Sequence, residues 1–336
     1  MPETTTPVDD PFARAAAAVS EPHFRGADGR AVRQTTDTAV ILRHLRLADV
    51  RPGQRVLEIG TGSGLSTALL AELVGPHGQV VSLDVMQELT ERAAHLHTAA
   101  GYTNATFLAR DGREGAPEHG PYDRIVAWAC PAQLPDTWLT QAAPGAVVLH
   151  PLPVARLAYA TVMLRCTVDA TSHPSEATVH RGAYARMADA QHQARESDDA
   201  DATSEQGYVC AEWLRATRPG RAAAVLQHLE AATHSEQVEL SWPECDDLRA
   251  WLIAQHPDGL ISAGRGGEVG YGIAEDDHVA LLVLLPHPRL LADAADSPAL
   301  RRLRELLHTW IAAGRPGTET NPPTLHRLKG GWQARL

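Results

Sequence analysis

The chain has 336 residues, 44% of them hydrophobic, which is long for a single domain and ample for a sizeable core. Acidic residues outnumber basic ones by 41 to 30, a formal charge of −11 that disfavours a phosphate backbone as the main partner. Four cysteines (Cys130, Cys166, Cys210 and Cys245) lie far apart with no CxxC pair. That pattern excludes a zinc frame or a disulfide framework as expectations and predicts buried free thiols in a reducing compartment.

Residues 1–10 are polar, without the basic and apolar regions of a secretory signal, and no apolar run reaches membrane-spanning length, so a cytoplasmic location is expected. Residues 12–19 are alanine-rich and predict a short helix, and 21–33, with Gly26 and Gly29, predict a loop. In Gln34-Thr35-Thr36-Asp37-Thr38, hydroxyl and acid groups stand ready to cap a helix over 39–47. After Arg51-Pro52-Gly53, the apolar run at 56–59 feeds Gly60-Thr61-Gly62-Ser63-Gly64 and then the helical run 65–74. A strand, a glycine-rich turn and a helix start bring bare N–H groups and the positive end of a helix to one point. Residues 79–84 read as a second strand, ending in Asp84 twenty positions after Gly64, a spacing suited to an acid on ribose hydroxyls.

The alternation continues with a helix over 87–100 stopped by Gly101, a strand over 105–109 leading to Arg110-Asp111-Gly112, a strand over 122–128, a short helix within 135–143 and a strand over 146–152. Such alternation predicts a mostly parallel sheet covered on both faces. Two β-rich stretches, 157–168 and 177–187, have no helix between them and predict an antiparallel pair completing the sheet. Residues 191–206 are acidic, nearly free of large apolar side chains, and read as a linker. Beyond them, helical patterns at 221–232, 246–255 and 299–312 alternate with strand-like runs at 260–262, 278–285 and around Lys329-Gly330-Gly331. The expected layout is therefore an N-terminal segment (1–33), a nucleoside-binding α/β domain (34–190), a linker (191–206) and a smaller α+β domain (207–336). Gly264-Arg265-Gly266-Gly267-Glu268 lacks the spacing and lysine of a phosphate loop and reads as a hairpin tip.

Several motifs occur together. Val56-Leu57-Glu58-Ile59-Gly60-Thr61-Gly62-Ser63-Gly64 resembles the first motif of class I S-adenosylmethionine-dependent methyltransferases, in the wording typical of the protein-L-isoaspartate O-methyltransferase family. Pro52-Gly53, the stretch from Ala71 to Val80, Gly101-Tyr102-Thr103-Asn104, Arg110-Asp111-Gly112 and Pro121-Tyr122-Asp123-Arg124-Ile125 follow in that family's order. The resemblance spans residues 34–187. Leu134-Pro135-Asp136-Thr137-Trp138-Leu139-Thr140-Gln141 and the tail from Trp310 to Trp332 further resemble members associated with ribosomally synthesised, modified peptides such as lanthipeptides, lasso peptides and graspetides.

The resemblance implies a Rossmann-like class I methyltransferase sheet with an antiparallel terminal hairpin, and S-adenosylmethionine as cofactor. It places Gly60, Thr61, Gly62 and Gly64 along the methionine portion, with Glu58 reaching the amino group directly or through water. Asp84, with Val85 beside it, would take the ribose hydroxyls, and Asp111 with Gly112 the adenine edge. Trp128 would line the cofactor site as a wall residue, and no metal is implied. Thr35 or Thr36 would offer the acceptor hydroxyl, although both are equally suited to capping the next helix. Two departures concern the acceptor side: Gln34–Thr38 lacks the family's proline, and Trp128 stands where a threonine is usual. His23, His44 and His150 carry no signal beyond a structural or surface role, and Trp138 reads as core.

The expectation is methylation of an aspartate side-chain carboxylate in a peptide, such as a cyclised precursor peptide recognised by the second region, leading to succinimide and isoaspartate. The alternatives are general isoaspartyl repair, a tRNA-adenine methyltransferase, which the charge disfavours, and a non-catalytic binding protein. Neither nucleic acid nor membrane is an expected partner.

Overall fold

The computed structural model describes residues 10–26, 28–32, 35–187, 200–211, 213–214, 220–256, 259–276, 278–285 and 287–336. Residues 1–9, Gln34 and the 191–199 part of the expected linker lie outside that set.

Helices α1 (Pro11–Ala18) and α2 (Thr38–Leu47) precede β1 (Arg55–Ile59), α3 (Leu65–Val74), β2 (Gln79–Asp84), α4 (Gln87–Ala99), β3 (Ala105–Ala109), β4 (Tyr122–Ala127), β5 (Leu134–Pro135), α5 (Asp136–Gln141), β6 (Ala142–Pro153), β7 (Thr161–Val168) and β8 (Pro174–His180). They build a seven-stranded sheet in the order β3-β2-β1-β4-β6-β7-β8. Neighbours from β3 through β6 are parallel, and β7 and β8 close the sheet as antiparallel strands. The central strands are apolar on both faces because helices cover both. Val56 and Val126 join the cluster beneath α1–α3, while Leu57, Ile59 and Ile125 face Trp138 of α5 on the other side. This is the Rossmann-like arrangement of class I methyltransferases, with its terminal antiparallel pair. The chain leaves β1 for β2 and β3, then returns to β4 on β1's other edge. A crevice therefore opens at the carboxyl ends of β1 and β4, the switch point where such sheets bind ligands.

The second region comprises β9 (Ala202–Thr203), β10 (Gly207–Cys210), α6 (Arg221–Ala231), β11 (His234–Gln237), α7 (Trp242–Gln255), β12 (Leu260–Arg265), β13 (Glu268–Glu275), β14 (His278–Leu285), β15 (Arg289–Ala292), α8 (Pro298–Ala312), β16 (Thr324–Leu328) and β17 (Gly331–Arg335). Its sheet runs β11-β15-β14-β13-β12-β10-β9. The end of the stretch read as a linker thus belongs to this sheet, as β9. Arg265 and Glu268 face each other across a turn whose Gly266 and Gly267 have φ of +56° and +87°, the left-handed pair a two-residue hairpin requires.

Nor is this region a body on a tether. Leu152, Val162 and Leu164 of the first sheet lie in the same buried cluster as Tyr271, Leu282, Trp251 and Trp310 of the second. The C-terminal hairpin crosses back, pairing Trp332 with Leu134 and Gly331 with Pro135. Arg327 pairs with Asp136 there, and Gln133 Nε2 donates to the Lys329 carbonyl at 3.1 Å. The apolar patterns of 207–336 announce helices and strands; they do not say that the covering partner of α7, α8 and β13 is the first sheet. No described helix is long and apolar enough to cross a membrane.

Candidate functional site

The glycine turn leaves β1 at the switch point. Gly60, Gly62 and Gly64 have φ of +97°, +51° and +84°, a run of left-handed residues that side chains would oppose. Gly64 is the N-cap of α3, so the turn delivers the helix start to the crevice. Its carbonyl accepts from His97 Nε2 at 2.9 Å, which ties the turn to α4. Thr61 is buried, its hydroxyl 2.7 Å from Ser82 Oγ.

Asp84 ends β2 beside this turn. Its Oδ2 accepts the Gly62 N–H at 3.1 Å and its Oδ1 the Met86 N–H at 3.0 Å. The N-cap of α4 is Met86, so Asp84 is not merely a cap: it reaches across to hold the glycine turn and stays half-buried at the crevice, with Val85 half-buried next to it. Two hydrogen bonds leave a carboxylate with acceptor sites to spare. On β3's side, Asp111 accepts from the Arg113 backbone N–H and Nε, both at 2.9 Å, and pairs with Nη2 at 2.7 Å. The guanidinium holds its carboxyl below the ordinary aspartate range, so it is ionised at neutral pH. Gly112 is required by space, since a β-carbon there would stand 2.4 Å from Ile59 Cγ2. Its carbonyl is fixed by Trp138 Nε1 at 2.8 Å, which makes the fully buried Trp138 a positioning residue as well as core.

Glu58 sits differently from the expectation. It is 0% exposed, and its oxygens accept from Ser66 Oγ and Thr67 Oγ1 at 2.5 Å, Ser82 Oγ at 2.7 Å and Trp128 Nε1 at 2.8 Å. Burial drives its carboxyl pKa up while these four donors pull it down. With every lone-pair direction met from within the chain, Glu58 supports the crevice floor from below and does not present an oxygen to a cofactor amino group. The residues of β1 alone could not reveal this, because Ser66, Thr67, Ser82 and Trp128 come from other segments.

Trp128 follows β4, half-buried, with its Cβ against Gly60. Its ring stands 5.7 Å from Tyr184 and 6.3 Å from His44. Tyr184 and His44 are site neighbours that local patterns could not join, since 140 residues separate them. Segment 182–187 folds back over the crevice: the Cys130 N–H donates to the Ala185 carbonyl and the Met187 N–H to the Cys130 carbonyl, each at 2.8 Å. His44 is buried, with Nδ1 2.8 Å from the Tyr184 hydroxyl and Nε2 3.1 Å from the Arg181 carbonyl. A carbonyl only accepts, so Nε2 carries the proton and Nδ1 accepts from Tyr184.

Burial pushes His44 and, on β6, His150 down to a pKa of about 4. An unfolded histidine titrates near 6.5, so between about pH 6.5 and 4 the unfolded chain takes up protons that the native one refuses. Stability is therefore full above about pH 6.5 and falls as the pH drops towards 4, by roughly 3 kcal/mol for each histidine. Denaturant midpoints measured across this range should fall with pH, and His44→Gln should flatten the slope.

Thr35 and Thr36 precede α2, both half-buried. Neither caps the helix: Asp37 does, accepting from the Ala39 and Val40 N–H groups at 2.9 and 3.4 Å. Thr38 instead donates to Glu21 at 2.7 Å. The Thr35 hydroxyl is buried and has no hydrogen-bond partner among the described residues. Among those residues no group of three His, Cys, Asp or Glu is placed to hold a metal ion.

Residues 19–181 match the family model described as protein-L-isoaspartate(D-aspartate) O-methyltransferase. Among curated relatives, the protein-L-isoaspartate O-methyltransferase of Ignicoccus hospitalis is 43% identical over 105 residues, 31% of this chain and 50% of that one. The enzyme of the same name from Aeropyrum pernix is 38% identical over 125 residues, 37% of this chain and 48% of that one. The chain thus spans about half the length of the curated relatives it matches. A solved protein-L-isoaspartate O-methyltransferase aligns over 97% of this chain and 95% of its own, at 17% identity and a TM-score of 0.48. A putative one from Plasmodium falciparum, in complex with S-adenosyl-L-homocysteine, aligns over 50% and 86%, at 16% identity and 0.42. Residues 19–181 are thus similar to the protein-L-isoaspartate(D-aspartate) O-methyltransferase family.

Proposed function

We propose that this protein is an S-adenosylmethionine-dependent carboxyl methyltransferase acting on an isoaspartyl residue of a peptide or protein. The observation that carries the reading is the convergence at the switch point. A left-handed glycine turn is held by Asp84, with Asp111 just beyond the end of β3 and Trp128 packed against Gly60. The donor set suits the cofactor: spare lone pairs on Asp84 for ribose hydroxyls, and Asp111 with the Gly112 N–H for an adenine edge. When bound, S-adenosylmethionine supplies a methyl activated by a sulfonium leaving group.

What the chain must then do is bind, align and keep water out. The glycine turn admits a ligand close to backbone, and Glu58 fixes the floor by holding Ser66, Thr67, Ser82 and Trp128. A carboxylate acceptor is already ionised at neutral pH, so no strong general base is needed. The rings of Trp128 and Tyr184 would shield the acceptor side, and Thr35, whose buried hydroxyl has no partner among the described residues, would donate to the acceptor carboxylate, with Thr36 beside it. Thr35→Val keeps the shape and removes the donor. It should raise KM for an isoaspartyl peptide by about tenfold, one charge-assisted hydrogen bond, while Tm and cofactor affinity stay unchanged.

Two observations favour a second, narrower reading, in which the acceptor is an aspartate in a cyclised precursor peptide. Trp128 stands where the family has a threonine, and the second region shares a core with the first sheet. On that reading the aspartyl methyl ester is attacked by the next backbone amide nitrogen, which loses its proton as methanol leaves, giving a succinimide that water opens to isoaspartate. The two relatives compared above, both named for isoaspartate, favour the first reading. Mass spectrometry of linear isoaspartyl, linear aspartyl and macrocyclic aspartyl peptides after incubation with S-adenosylmethionine separates them. Methylation of linear isoaspartyl peptide supports the first reading, and reaction of the macrocycle alone the second.

A further inference from the structure

The segment that folds back over the crevice is gripped at its root by the second region. Asp247 of α7 is buried, and its Oδ1 accepts the N–H and the hydroxyl of Thr318, each at 2.9 Å. The same oxygen stands 3.0 Å from Nε of Arg181, a half-buried side chain one residue beyond β8. The Arg181 carbonyl accepts from His44 Nε2 at 3.1 Å, and the Tyr184 hydroxyl lies 2.8 Å from His44 Nδ1. Polar contacts thus run from α7 through Arg181 and His44 to the ring that stands beside Trp128.

Close packing fixes the same root. Gly182 has φ of +150°, and a β-carbon there would stand 2.6 Å from Met163 Cγ and 3.0 Å from His44 Nε2. Only glycine lets the chain turn this tightly against the imidazole. The other end of the segment is held by its two backbone bonds to Cys130. Apolar packing already joins α7 to the first sheet, since Leu248, Trp251 and Leu252 share a cluster with Leu164. A buried ion pair adds little net stability over apolar side chains of similar size, whereas its directional bonds select one geometry. Asp247 therefore supplies direction where burial was already supplied.

We propose that Asp247 and Arg181 are positioning residues for the acceptor side: through them the second region sets segment 181–187, and with it the Tyr184 ring, against Trp128. That these rings face an acceptor peptide rests on the carboxyl-methyltransferase reading; the grip on the segment does not. Asp84, Asp111 and the glycine turn are held by other contacts, so loosening the grip should act on the peptide and spare the cofactor.

Arg181→Met keeps most of the stem and removes the guanidinium. In hydrogen–deuterium exchange of the full chain with S-adenosylhomocysteine present, amides of 181–187 should exchange about tenfold faster than in the wild-type protein, one charge-assisted bond, while those of 60–64 stay unchanged. KM for a linear isoaspartyl peptide should rise about tenfold, with kcat and the Kd for S-adenosylhomocysteine unchanged. Arg181→Lys, which restores a cation opposite Asp247, should recover most of both effects. Asp247→Asn should match Arg181→Met, and the double variant should be no worse than either single one, because all three lose the same pair. Wild-type exchange of 181–187 in Arg181→Met overturns the proposal. A lower Tm and kcat at unchanged KM overturns it too, because a merely structural bond would act in that way. Faster exchange in Arg181→Met, together with no transfer to any peptide by the wild-type protein, leaves the grip standing and overturns the methyltransferase reading.

Discussion

Glu58→Ala should be the most damaging single substitution in the first sheet, costing about 4 kcal/mol and lowering Tm by roughly 10 °C. The carboxylate is the common acceptor for Ser66, Thr67, Ser82 and Trp128 in a place without solvent. Removing it leaves four donors facing a cavity. Each buried, unsatisfied group costs about 1–3 kcal/mol, and rotation of the three hydroxyls towards other acceptors recovers part of the sum. Glu58→Gln should cost less than Glu58→Ala, because the amide oxygen still accepts, yet more than a surface change, because its NH2 faces donors. Thermal and denaturant unfolding of the two variants checks this. A loss below about 1 kcal/mol for Glu58→Ala would show that the four donors have other partners within reach.

Asp84→Ala should act on the ligand and not on the fold. The side chain is half-buried at the crevice, and its two internal hydrogen bonds go to the backbone N–H groups of Gly62 and Met86. Its loss removes acceptors for ribose hydroxyls and frees the glycine turn, so calorimetric Kd for S-adenosylhomocysteine should rise about a hundredfold, nearly 3 kcal/mol. Asp84→Asn keeps one acceptor oxygen and should lose about tenfold. An unchanged Kd for Asp84→Ala would remove the carboxylate from the ligand site and leave it only the task of holding Gly62.

Much of this architecture was legible in the residues. Largely apolar runs bounded by glycine and proline mark β1 to β4 closely, because a strand covered on both faces is mostly apolar. The glycine turn was legible because left-handed backbone restricts the residue type. Asp84 and Asp111 were legible as strand-end acids at fixed distances from that turn. Contacts between distant segments left no such trace. Nothing in the order of residues joins His44 to Tyr184, or sends Trp128 Nε1 to Glu58. Glu58 looked available to a cofactor because its four donors lie on other elements. The threonines before α2 competed with Asp37 for the cap, and only the backbone geometry shows Asp37 taking it. The second region's helices and strands were readable, but its shared core with β7 and the return of β17 to β5 depend on surfaces that local patterns do not encode.

The central claim is that the crevice transfers a methyl group to a carboxylate oxygen. Carboxyl methyl esters, unlike N-methyl and S-methyl products, release methanol in mild base. Incubation with S-adenosylmethionine labelled in its methyl group and a linear isoaspartyl peptide, followed by base, should yield volatile labelled methanol with the wild-type protein and far less with Asp84→Ala. Label that stays on the peptide through base treatment, or no transfer to isoaspartyl or aspartyl peptides under conditions where S-adenosylhomocysteine binds, would contradict it.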